Sequence, residues 1–120
     1  MSQLYVMCPE CYLELPLRKT VGEEAYFMTV LGNVLDEASI ASVVQTHAIL
    51  SLETPITEVH FVHDPQCSVV KDNSSASASL EELIHKNRSF IAESAPDLPG
   101  VHFWCIRSRL SDGTLELASI

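Results

Sequence analysis

Short apolar runs alternate with stretches of helical spacing along this chain, and the alternation sets the first expectation of its fold. Leu4-Tyr5-Val6-Met7-Cys8 is a continuous apolar run closed by Pro9, the pattern of a strand buried on both faces. Residues 14–24 are polar and contain Pro16 and Gly22, which predicts a loop. Ala25 to Leu31 is a second β-rich run, punctuated by Gly32-Asn33. Asp36 is placed to cap a helix on which Ile40, Val43, Val44, His47 and Leu50 follow helical spacing, with Pro55 ending it. Glu58 to His63 predicts a third strand, leading into the turn Asp64-Pro65-Gln66.

Asn73 to Ala78 is a stretch of small residues that delivers the chain to Ser79-Leu80-Glu81-Glu82, a capping-box pattern. The helix it opens is expected to reach about Ser94 with Leu80, Leu83, Ile84 and Ile91 inward, and Pro96 and Pro99 end it. Val101 to Arg107 is a fourth strand, and Ser111-Asp112-Gly113 turns the chain into a short fifth, Leu115 to Ile120. Strands alternating with helices predict one α/β domain over residues 1–120. Its mostly parallel, twisted sheet of four strands carries helices on both faces and a C-terminal antiparallel edge hairpin.

Composition changes this picture only by exclusion. With 120 residues and 47% hydrophobic content, the chain is large enough to bury a core unaided. The net charge of −9 leaves no basic stripe to neutralise phosphates, so no nucleic-acid partner is expected. No apolar run approaches the roughly eighteen residues of a membrane span, and MSQLYVMCPE has no secretory pattern. A cytoplasmic setting is therefore expected, in which Cys8, Cys11, Cys67 and Cys105 stay reduced.

The candidate chemistry lies where parallel strands end, because ligands of open α/β sheets collect at the carboxyl edge. Cys8 closes the first strand, His63 closes the third, and Cys67 follows in the same turn. If the first and third strands are neighbours, these side chains can converge. Two thiolates and an imidazole suit zinc, with a fourth position for water or for Glu10. A zinc knuckle at Cys8-x-x-Cys11 lacks the second cysteine pair it needs. A thioredoxin-type redox pair calls for a helix directly after Cys11, which Pro16 argues against. Cys11 then reads as a thiol lining the site. His60 has the opposite strand parity to His63 and reads as a hydrogen-bonded interior or interface histidine; His47 and Cys105 read as core.

Across most of its length the chain resembles a short, divergent β-class carbonic anhydrase. The family's first strand ends in Cys-x-Asp-Ser-Arg, and Cys8-Pro9-Glu10-Cys11-Tyr12 stands there. Its Arg-Asn-Ala-Gly-Asn pattern is met by Thr29-Val30-Leu31-Gly32-Asn33, and its Gly-His-x-x-Cys-Gly by Val62 to Ser68. The terminal hairpin is echoed by Ile106 to Leu117 with Asp112-Gly113-Thr114. The resemblance implies zinc held by Cys8, His63 and Cys67, with Glu10 orienting a zinc-bound hydroxide that attacks carbon dioxide or a related small molecule. It also implies a pocket lined by Cys11, Tyr12, Gly32 and Asn33, and a homodimer. Tyr12 replaces the family's arginine without its charge, and the His63-to-Cys67 spacing is one residue longer. Those departures keep two alternatives in play: a non-catalytic relative used for metal binding, sensing or assembly, and a Cys8/Cys11 thiol redox protein.

Overall fold

The first apolar run does form a strand, and it lies inside the sheet between two parallel neighbours. The computed structural model describes residues 2–9, 12–22, 24–66 and 80–120. Along them run β1 (Ser2–Met7), α1 (Glu14–Val21), β2 (Tyr26–Thr29), a 3-10 turn (Leu31–Asn33), α2 (Glu37–Leu50), β3 (Ile56–His63), α3 (Leu80–Ser94), β4 (Val101–Arg109) and β5 (Leu115–Ser119). The strands form one five-stranded sheet of order β2-β1-β3-β4-β5. Its first four strands are parallel and β5 pairs antiparallel with β4, so the fold is α/β with a terminal antiparallel hairpin.

The order follows from two windings in opposite directions. From β1 the chain steps outward to β2, then crosses back over β1 to reach β3 and continues to β4. Right-handed crossovers in opposite directions put α1 on one face and α2 and α3 on the other. Two apolar clusters result. Leu4, Val6, Val59, Phe61 and Phe103 pack with Ile40, Val43, Ile84 and Ile91 on the α2/α3 face. Tyr5, Met7, Val62 and Ile106 pack with Leu13 and Leu17 on the α1 face.

Asp36 caps α2, its carboxylate accepting from Ser39 N at 2.8 Å. Ile40 and Val43 of that helix are buried as expected, whereas Val44 is exposed and His47 is half-buried, bonded to Ile56 O at 2.9 Å. Cys105 is half-buried, not core. The expected cap Ser79 and the segment Asn73 to Ala78 lie outside the described residues.

The loop expected over 14–24 is the main correction: α1 occupies Glu14–Val21. Leu13, Leu17 and Val21 repeat every fourth residue and all join the α1-face cluster. Pro16 sits in the first turn, where a backbone N–H has no intrahelical acceptor to lose. Glu14 pairs with Arg18 at 3.0 Å, and Gly22 ends the helix at φ 96 with its N–H on Arg18 O. The helix is tied to the terminal hairpin by Leu115 N donating to Thr20 Oγ1 at 2.9 Å.

Candidate functional site

The neighbour condition set by the sequence is met. β1 and β3 pair directly in parallel, Val6 level with Phe61, and continuing that register two residues brings Cys8 level with His63. The chain leaves β1 and β3 toward opposite sides of the sheet here, so this is the topological switch point, where a crevice forms between strand ends.

His63 packs on the α2/α3 face, its ring 6.1 Å from that of Phe103. It is 2% exposed, and neither ring nitrogen has a hydrogen-bond partner. Burial alone pushes its imidazole down to about 4, so it is neutral near pH 7. A neutral imidazole carries one donor and one acceptor, and both are orphaned.

Cys8 is also buried, packed with Met7 and Leu13 beneath α1. Above it opens a cleft of about 370 Å³ lined by Met7, Cys8, Pro9, Tyr12, Glu14 and Thr29. Tyr12 borders this cleft with φ 52 and is 81% exposed. Glu10, Cys11 and Cys67 lie outside the described residues. Among the described residues no three His, Cys, Asp or Glu side chains stand close enough to hold a metal ion. Cys8 and His63 are thus brought to adjacent strand ends with different packing neighbours.

Asn33 is the residue that joins those ends. It ends the 3-10 turn after β2 at φ 53, a left-handed conformation that asparagine tolerates better than most residues. Its Nδ2 donates to Val6 O and to Val62 O, both at 3.0 Å. Only an NH2 group satisfies two facing carbonyls, so the amide cannot be turned over, and its Oδ1 is left buried without a partner. Asn87 of α3 supports it from behind, donating to Asn33 O at 2.8 Å and accepting from Leu35 N at 3.2 Å.

Neither Asn87 nor this network was anticipated, although Asn87 lies on the inward helical line between Ile84 and Ile91. Asp64 and Arg109 were missed as well. Their ion pair at 3.1 Å ties the turn after His63 to the end of β4, while Asp64 Oδ1 accepts from Gln66 N at 2.9 Å.

No protein-family model, curated protein or solved structure matches this chain. Its chemistry therefore rests on its own geometry.

A second polar group occupies the α1 face. Phe27, Tyr5, His60 and His102 lie level on four neighbouring strands, their rings stacked at 5.8, 4.6 and 4.9 Å. Trp104 Nε1 donates to His60 Nδ1 at 2.9 Å, which leaves the neutral ring's proton on Nε2. That atom faces Glu58 Oε2 at 3.3 Å, within ion-pair distance but outside hydrogen-bond geometry. Burial, and then the charge of His102, hold the His60 imidazole below its ordinary range, with Glu58 opposing. No helix among the described residues is long and apolar enough to cross a membrane.

Proposed function

We propose that the crevice at the carboxyl ends of β1 and β3 is a zinc site, and that the protein is a β-carbonic-anhydrase-like zinc protein acting on carbon dioxide or a related small molecule. One observation carries the reading: His63 is buried at the switch point with both ring nitrogens unpartnered. A buried orphaned group of this kind costs about 1–3 kcal/mol, a cost that binding at one of its nitrogens offsets. A neutral imidazole on the strand next to Cys8 also fits the ligand chemistry of zinc.

Cys8, His63 and Cys67 would hold the metal, and zinc bound there would supply Lewis-acid activation of water. Glu10 would orient that water, and Gly32-Asn33 would form one wall. The protein would act in the cytoplasm as a homodimer, without nucleic-acid or membrane partners.

A second reading, a Cys8/Cys11 redox pair, gains from the fold. α1 begins at Glu14, so a helix does follow Cys8-x-x-Cys11, and the objection drawn from Pro16 falls away.

Metal analysis of protein purified under reducing conditions separates these readings. The zinc reading expects about one zinc per chain, lost in Cys8→Ser and His63→Leu but kept in Cys11→Ser. Metal-free, folded protein that forms a reversible Cys8–Cys11 disulfide overturns it in favour of redox chemistry. With zinc present, stopped-flow carbon dioxide hydration no faster than buffer assigns the non-catalytic role.

A further inference from the structure

We infer that Asn33 is the positioning residue of this site: its amide sets the spacing of the two strand ends that carry Cys8 and His63, and its unpaired Oδ1 faces the site's occupant. The inference rests on the zinc reading. Asn33 itself belongs to neither strand. It reaches in from the turn after β2 and places one NH2 group between the carbonyls of Val6 and Val62. Val62 immediately precedes His63, and Val6 lies two residues before Cys8. A shift of this amide therefore moves both proposed ligands together.

Everything around Asn33 restrains it. The side chain is 1% exposed, its carbonyl is held by Asn87 Nδ2, and Asn87 fixes Leu35 N on the far side of the turn. A polar residue buried among apolar neighbours has an energetic cost unless its groups are satisfied. Here every group is satisfied except Oδ1. That atom is acceptor-only, so what pairs with it must bring a hydrogen-bond donor. His63, one residue beyond a carbonyl that Asn33 holds, is orphaned too. Two orphaned side chains linked through the Val62 carbonyl suit one polar occupant: a metal would take an imidazole nitrogen, and a water or hydroxyl group would donate to Asn33 Oδ1.

The test uses cobalt(II) in place of zinc, because thiolate-to-cobalt absorption and the visible d–d bands report ligand geometry directly. Asn33→Gly keeps the left-handed φ without strain and removes the amide. Asn33→Asp keeps size and φ tolerance and removes both N–H donors. We expect each variant to bind cobalt at least tenfold more weakly, with altered d–d bands. Ile91→Ala, a core change on α3, serves as a control of comparable instability and should keep the wild-type spectrum. Wild-type spectrum and affinity in both Asn33 variants would overturn the positioning role while leaving the zinc reading intact. Wild-type protein without thiolate–cobalt bands overturns the zinc reading and this inference with it.

If neither variant folds, the wild-type protein decides. The Asn33 side-chain amide resonances should shift when zinc is added to metal-free protein, and unmoved resonances would refute the proposal.

Discussion

Replacing His63 with leucine should stabilise the metal-free protein while abolishing metal binding. The imidazole is 2% exposed and makes no hydrogen bond, so folding removes its donor and its acceptor from water without return. Such a deficit is about 1–3 kcal/mol, and an apolar side chain of similar volume does not incur it. Loss of the ring contact with Phe103 takes back about 0.5–1.5 kcal/mol. For a chain of this size each kcal/mol moves Tm by about 4 °C.

The difference should widen in acid. The folded-state value lies near 4, below the ordinary 6.5, so the unfolded chain binds the proton more readily. Wild-type stability from this group is therefore complete above pH 6.5 and falls as pH drops toward 4, by about 3 kcal/mol in full. His63→Leu lacks that slope. The assay is urea unfolding with a chelator present, repeated from pH 7.5 to 4.5. With zinc at about a hundred times Kd, the wild type should gain about 2.7 kcal/mol and the variant nothing. A metal-free variant less stable than wild type at pH 7.5, or parallel pH profiles, would refute the reasoning.

Two further outcomes follow from other parts of the fold. Trp104→Phe removes the indole donor from His60 Nδ1, so the His60 imidazole should titrate at higher pH by NMR; an unchanged or lower titration contradicts the assigned tautomer. Because the folded His60 value lies below 6.5, its share of stability is lost as pH falls beneath that point, and Trp104→Phe should flatten the loss. Gly100→Ala should destabilise by more than about 1–2 kcal/mol in urea, since Gly100 has φ 53 and an added Cβ would collide with the Thr57 carbonyl oxygen; near-wild-type stability would contradict that backbone geometry.

Local pattern carried much of the fold. Continuous apolar runs marked β1, β3 and β4, Asp36 marked the start of α2, and Asp112-Gly113 lies in the turn between β4 and β5. Each of these depends on neighbours a few residues away, so the sequence expresses it directly. α1 escaped because Pro16 looks like a breaker unless its place in the first turn is known. Its fourth-residue apolar repeat, Leu13, Leu17 and Val21, was the usable signal. The site was legible in part: Cys8 and His63 were read at strand ends, which is where they lie, and His60 was read as hydrogen-bonded, in the interior or at an interface.

By itself, the sequence determined the alternation of strands and helices, the burial of the central strands and the residue types available for chemistry. Only the tertiary structure decided that β1 and β3 are neighbours, that His63 is orphaned, and that Asn33 and Asn87 bridge strand ends from a turn and a distant helix. The physical reason is that strand order and buried hydrogen bonds are settled between residues far apart in the chain. Asn87 reads as an ordinary polar position, and Asn33 as no more than a pocket wall implied by the resemblance, until the packing takes water away from them, and from then on each needs a specific partner.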